Sequence, residues 1–253
     1  MSDEPKTIAS VEKTLKVVEA LWKLDGAGVT ELAEFLGLSK STVHVHLLTL
    51  ERKGYVVSTD GRYELGLRFL NFGEYVKRAQ PLYDVAHPTV EDLAAETGEL
   101  AFCMVEQEGL ATAICSGAGR RAVQTSVRVG THTYMHASSA GKAILAHLSR
   151  ERVDEILDRW GQPRFTENTI VDRGRLCEEL RTMREEGVFY SNEEYARGVA
   201  SVGVPVLGES GEIQGAITVF GTAMRLSGDR SGSDLPNQLL GAANQIEVNM
   251  TAP

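Results

Sequence analysis

The chain has 253 residues, 42% of them hydrophobic, with 26 Lys and Arg against 35 Asp and Glu. That length buries one large core or two ordinary ones, and the balance of apolar and charged residues excludes a disordered chain, a collagen-like repeat and a coiled-coil rod. No apolar run approaches the roughly 20 residues of a spanning helix, MSDEPKT lacks the apolar stretch of a secretory signal, and Cys103, Cys115 and Cys177, with no CxxC, fit neither a disulfide framework nor a zinc ribbon. A cytoplasmic protein with no membrane partner and no cofactor is expected. The net charge of -9 is unevenly spread: residues 1–80 hold 11 basic and 11 acidic groups, the remainder 15 and 24. The acidic part repels nucleic acid, whereas the neutral part can approach it if its basic groups share a face.

In chain order, Val11, Leu15, Val18 and Trp22 recur as one helical stripe stopped by Gly26. VTELAEFLGL reads as a second helix, with Thr30 as its cap and Gly37 in the left-handed position after it. Ser39 caps a third helix, SKSTVHVHLLTLERKG, whose inward seam is Val43, Leu47 and Leu50. Two short helices joined through a glycine turn predict a helix-turn-helix. At about 100° per residue, Ser41, Val45, Leu48 and Arg52 point away from the seam, with Thr42 and His44 on the flanks. Val and Leu on such a face suit thymine methyls, while Ser, Thr and His reach phosphates or base edges, and Lys40 and Arg52 are candidate phosphate contacts. Next, YVVSTDGRYELG puts two β-prone runs about Asp60-Gly61, a hairpin that makes a winged helix with Arg62 beside its tip.

LRFLNFGEYVKRA is an amphipathic linker helix with Phe69, Phe72 and Val76 on one stripe and Pro81 ending it. Beyond it, helices are predicted at about 82–97, 138–148, 150–160, 173–186 and 234–250, with Pro88 kinking the first or delaying its start. Ser149, Asp172 and Ser233 are the expected N-caps, and Pro236 suits a first turn. The strand-like runs are LAFCMVE and LATAICS about a QEG turn, AVQTSVRV, and VASVGVPVL and IQGAITVF about GESGE. This pattern predicts an α+β fold with an antiparallel sheet. The expected domains are 1–66, a winged helix-turn-helix; 67–80, a linker helix; and 81–253, an effector-binding domain.

HASSAGKA, residues 136–143, imitates two catalytic signatures and completes neither. A phosphate loop needs a leading glycine and a hydroxyl after its lysine, and Ser139-x-x-Lys142 lacks the KTG and SDN strings of the penicillin-binding enzymes. A serine-dependent hydrolase centred on Ser139 and Lys142 is the alternative; the preferred reading is a hydroxyl-capped turn whose amides attract anions. His132 and His136 have ligand spacing without a third ligand, so no metal is expected. Glu193-Glu194 reads as a solvated turn.

Through LGLSKSTVHVHLLTLERKGYV and its wing, MHASSAGKAILAHL, and more distantly ELRTMREEGVFYSNEEYARGVASVGVPVLGESGEIQGAITVFG, the chain resembles the IclR family of transcriptional regulators along nearly its whole length. The resemblance implies a ligand-responsive regulator rather than an enzyme, with an effector domain similar to GAF and PAS folds. It implies a homodimer or dimer of dimers on palindromic double-stranded operator DNA, contacted through Ser39, Lys40, Ser41, Thr42, His44, Val45, Arg52 and Arg62. It also implies a small-molecule effector, such as an organic or aromatic acid or a sugar-derived metabolite, between the sheet and the HASSAGK-like loop. Carried across, the pocket residues are Ala122, Thr125, Ser139, Ala140, Ser191, Ser201, Thr218 and Phe220. Val45 stands where the family often has Arg, and Phe220 where it commonly has a small polar residue.

Overall fold

The computed structural model describes residues 7–226 and 234–251. It divides into two compact units, one ending at Ala79 and one beginning at Gln80. In the first, α1 (Ala9–Lys23), α2 (Val29–Leu36) and α3 (Lys40–Arg52) pack around Val17, Leu21, Leu32, Val43, Leu47 and Leu50. The α3 seam is buried as its spacing predicts. The stripe predicted on α1 is not: Val17, Ala20 and Leu21 face the core, while Val11, Leu15 and Trp22 are each more than half exposed. The helix has two apolar faces, and α2 and α3 cover only one.

Helix α2 begins after Gly28, so Thr30 lies inside its first turn and does not cap it; Gly37 takes the left-handed conformation at the far end, φ 63°. Ser39 does cap α3, its Oγ accepting from the Thr42 amide at 3.2 Å. The wing is β2 (Val56–Thr59) against β3 (Arg62–Leu65), and Thr59 opposite Arg62 leaves a two-residue turn at Asp60-Gly61. Both turn residues have positive φ, which matches the right-handed twist of the strands. A third strand, β1 (Ala27–Gly28), pairs with β3 and is too short to show in the sequence pattern. Helix α4 (Arg68–Arg78) follows, with no buried residue within its own unit.

The second unit is a six-stranded antiparallel sheet flanked by helices on both faces. Its strands are β4 (Leu100–Gln107), β5 (Leu110–Ala118), β6 (His132–Thr133), β7 (Phe189–Asn192), β8 (Val199–Leu207) and β9 (Ile213–Thr222), in spatial order β6-β5-β4-β9-β8-β7. Side chains alternate across a strand. Ala101 and Cys103 of β4 therefore pack with α5 (Pro81–Thr97) and α10 (Leu235–Thr251), while Phe102 and Met104 pack with α6 (Ser139–Leu145), α7 (Arg150–Trp160) and α8 (Arg173–Glu186). Both faces are buried, which is why these strands read as nearly continuous apolar runs. A short helix, α9 (Ala223–Leu226), follows β9.

Pro81 opens α5, and that helix runs unbroken through Pro88 to Thr97. Ser149 and Asp172 cap α7 and α8 as predicted; Ser233 lies outside the described residues. AVQTSVRV, expected as a strand, is irregular. The edge of β5 that it would need is taken by the 130–133 segment, through Ala111 opposite Thr133 and the Gly130 amide on the Ala113 carbonyl (2.8 Å). Its alternating pattern instead lines a cavity wall. Cys103 and Cys115 face each other across β4 and β5 as buried free thiols, and Cys177 is exposed. Replacing Ser39 with Ala removes the α3 cap and is expected to cost about 1 kcal/mol, read as a lower urea midpoint for the first unit.

Candidate functional site

Two surfaces carry the chemistry. The first is the outer face of α3. Lys40, Ser41, His44, Val45, Leu48 and Arg52 are exposed and Thr42 is half-buried. Ser39 Oγ, besides capping the helix, lies 3.0 Å from Ser41 Oγ and 2.8 Å from Thr42 Oγ1, so the first turn is a closed hydroxyl cluster beside Lys40. His46, on the inner flank, is tied to α1 through Thr14 Oγ1 at 2.9 Å. Arg62 is exposed and donates to the Asp25 carbonyl at 2.8 Å, which anchors the wing to the loop after α1.

The second is a cavity of about 200 Å³ in the other unit, beside a wider depression of about 840 Å³ with which it shares the wall Gln124–Val127. Of the eight residues expected there, Thr125, Ser191, Ser201 and Phe220 line the cavity, and Ala122 lines the depression. Ser139, Ala140 and Thr218 line neither; they are wholly buried behind the wall. Ser139 Oγ donates to Ser201 Oγ at 2.9 Å and lies 2.8 Å from Thr218 Oγ1, whose hydroxyl donates to the Val202 carbonyl at 3.0 Å. Ser191 donates to the Ala137 carbonyl (2.9 Å), and Thr125 Oγ1 accepts from the Val127 amide (3.2 Å). Among the described residues, no charged side chain lines the cavity.

The HASSAGK-like string builds the helix behind that wall. Ser138 Oγ caps α6, accepting from the Gly141 amide at 3.1 Å, and a Cβ at Gly141 would run into the Met135 backbone, so that glycine serves packing. Lys142 is fully buried. Its Nζ donates to Glu179 Oε1 and Glu194 Oε1, both at 2.6 Å, and to the Tyr190 carbonyl at 3.2 Å. All three ammonium protons are engaged, and Ser139 bonds elsewhere, so the S-x-x-K spacing assembles no nucleophile and base.

Glu194 is thus a buried ion-pair partner rather than a solvated turn residue; burial pushes its carboxyl above the usual range against the pull of Lys142. Glu193 stays at the surface side of the turn, accepting from the Gly198 amide. The 193–198 turn brings Tyr195 and Ala196 to the cavity, and Thr166 and Thr169 clasp it by donating to the Glu193 and Glu194 carbonyls at 2.6 and 2.7 Å. Neither Tyr195 nor Gln124 was signalled by the sequence: Tyr195 sits on irregular backbone without periodicity, and Gln124 lies in AVQTSVRV, whose alternation reads as a strand.

His132 and His136 do not converge on a shared site. His132 Nδ1 lies 2.7 Å from Thr112 Oγ1 and His136 Nε2 lies 3.1 Å from the Pro163 carbonyl. Among the described residues, no three His, Cys, Asp or Glu side chains group as metal ligands, and no helix is long and apolar enough to cross a membrane.

Comparison with known proteins places these surfaces in one architecture. The model of the IclR helix-turn-helix domain matches residues 10–60, and that of the bacterial transcriptional regulator IclR C-terminal domain matches residues 74–248. The chain belongs to the IclR family of transcriptional regulators. It is similar to the transcriptional repressor IclR of Escherichia coli (31% identity over 228 residues, 88% of this chain and 83% of that protein). It is also similar to the acetate operon repressor of Salmonella typhimurium (29% over 246 residues, 95% and 89%). Its fold matches the crystal structure of the Thermotoga maritima IclR, with a TM-score of 0.82 and 24% identity over 97% of this chain and 100% of that one. An IclR homologue from Microbacterium hydrocarbonoxydans, complexed with 4-hydroxybenzoate, gives 0.77 at 22% identity, covering 95% and 100%. This IclR-family protein is therefore a DNA-binding, effector-responsive regulator and not a hydrolase; its family relatives are named as regulators and repressors.

Two expectations follow from the geometry. Lys142→Ala leaves the buried Glu194 carboxylate, and the half-buried Glu179 beside it, without their cation and is expected to cost about 3–5 kcal/mol, seen as a large loss of thermal stability. Burial depresses the His136 and His147 pKa values, outweighing the carbonyl bonds that oppose it. The unfolded chain therefore takes up protons as pH drops through about 6.5 while the folded chain does not. Stability contributed by the neutral rings is full above that value and falls as pH decreases through it. Urea midpoints at pH 7.5 and 5.5 should diverge, and less so in His136→Gln/His147→Gln.

Proposed function

We propose that this IclR-family regulator acts in the cytoplasm as a homodimer, or a dimer of dimers, which sets two α3 helices in successive major grooves of an operator. The observation that carries the reading is the uncovered outer face of α3 at a cluster of small hydroxyls and basic ends. Lys40 and Arg52 bind phosphates, Ser39, Ser41 and Thr42 hold the first turn against the backbone, His44 and Val45 face base edges, and Arg62 follows the wing to the flanking DNA. Dimerisation is supported by two apolar surfaces that no described residue of the unit covers. One is Ile8, Val11, Leu15 and Trp22 on and just before α1; the other is Leu67, Leu70, Tyr75 and Val76 on and just before α4. Double substitution of Leu15 and Trp22 by Glu is expected to give monomers in sedimentation and to weaken operator binding by at least tenfold.

The effector we assign is a small organic or aromatic acid. The cavity of about 200 Å³ falls below the roughly 300–1,000 Å³ of drug-sized pockets, which calls for a compact metabolite. Ser201 accepts from Ser139 and Thr125 accepts from a backbone amide, so each retains its own proton to donate into the cavity. Hydroxyl donors with no acidic side chain suit ligand oxygens. Phe220 shapes the apolar side of the cavity and Ala122 that of the neighbouring depression, while Ser139, itself bonded to Thr218, orients Ser201 from behind and Ala140 is buried beside it. The effector changes operator affinity through its different affinities for two arrangements of the dimer.

A gel-shift titration on DNA from upstream of its own gene tests the DNA half: selective binding over a scrambled duplex is expected at moderate salt, and indifference overturns the proposal. Lys40→Ala and Arg52→Ala should weaken binding across sequences and each lower the salt slope by about one. A thermal-shift screen of small acids should yield a ligand that also moves the gel-shift curve, with both responses weakened in Ser201→Ala.

A further inference from the structure

The base-reading chemistry of α3 is unusually narrow. From Ser41 to Leu50 the helix reads STVHVHLLTL and holds no Arg, Lys, Asp, Glu, Asn or Gln. The bidentate contacts that read guanine through Arg or Lys, and adenine through Asn or Gln, are therefore absent from this stretch, as is a carboxylate to accept from cytosine. The polar side chains that remain are mostly engaged. Ser41 and Thr42 hydroxyls lie on Ser39 Oγ, Thr49 Oγ1 donates to the Val45 carbonyl at 2.9 Å, and His46 is held by Thr14.

What the middle of the helix presents outward is His44, Val45 and Leu48. Val45 is 61% exposed and Leu48 37% exposed, and as an i, i+3 pair they sit together on one face. A β-branched residue adds nothing to an exposed helix position through its propensity. Neither side chain belongs to the core, whose α3 seam is Val43, Leu47 and Leu50. In a major groove, the apolar group displayed at the base edge is the thymine 5-methyl.

We propose that Val45, flanked by Leu48, is the specificity-determining residue of α3 and reads thymine methyls, with His44 supplying the polar base contact. Each operator half-site then carries at least one A·T pair whose methyl meets Val45. This deepens the reading that α3 enters the major groove and rests on it.

The test uses the full chain and a duplex selected by it from random sequences. Thymines are replaced one at a time by deoxyuridine, which removes only the 5-methyl. At one or two positions per half-site the wild type should lose about fourfold in affinity, the worth of one buried CH2 group. Val45→Ala should bind the thymine and uracil duplexes equally at those positions while melting as the wild type does. Selective binding that ignores every uracil, or a Val45→Ala protein that keeps full sensitivity, overturns this inference alone. A Val45→Ala change that alters oligomeric state instead of methyl sensitivity assigns the side chain to a protein interface and overturns it too. Failure to select any sequence overturns the α3 reading and this inference together.

Discussion

The ammonium of Lys142 is the point from which the effector unit is organised. It sits at zero exposure on α6, and it gathers Glu179 from α8, Glu194 from the 193–198 turn and the carbonyl of Tyr190 from β7. An ion taken out of water is tolerated only when every proton finds an acceptor, and here each one does. Fixing Glu194 in this way fixes the turn that carries Tyr195 and Ala196 into the cavity wall, with Thr166 and Thr169 holding the same turn from outside. The residue that imitates a catalytic lysine is a structural rivet, and its two carboxylates explain why it has no base to offer.

The cavity shows a complementary economy. Its hydroxyl oxygens are positioned by buried neighbours, Ser201 by Ser139 and Thr125 by the Val127 amide, and Gln124 adds a carboxamide to the wall. Such groups present donors without the desolvation that a charged side chain would suffer in a small enclosed space. Thr218 completes the arrangement by handing its own proton to the Val202 carbonyl inside the sheet. The shape on the other side comes from Phe220, which meets Phe102 edge-on with ring centroids 5.5 Å apart.

The amino-terminal unit solves a different problem, keeping one face of a short helix bare while the rest is secured. Val43, Leu47 and Leu50 anchor α3 to the core, Thr14 and His46 tie it to α1, and Ser39 satisfies its first turn. The outer residues are then free of structural duty. The same unit leaves Val11, Leu15 and Trp22 at its surface, a cost in water.

Much of this was legible in the residues themselves, because the signals were local. The α3 seam repeats at helical spacing, Ser39 and Gly37 have backbone roles that few other residues fill, and Asp60-Gly61 is defined by its positive φ angles. The HASSAGK-like string, in order with its neighbours, carried the family. What the sequence could not decide were matters of which partner arrives from elsewhere in the chain. Apolar periodicity on α1 announced a buried stripe but not which of two faces would be covered, and AVQTSVRV had a strand's alternation without a free sheet edge to join. Glu194 lies 52 positions from Lys142, too far for any spacing rule to pair them, and only the folded sheet closed that distance. Local conformation follows from neighbours along the chain; burial, pairing and the choice of cavity wall follow from competition among distant segments for the same surface.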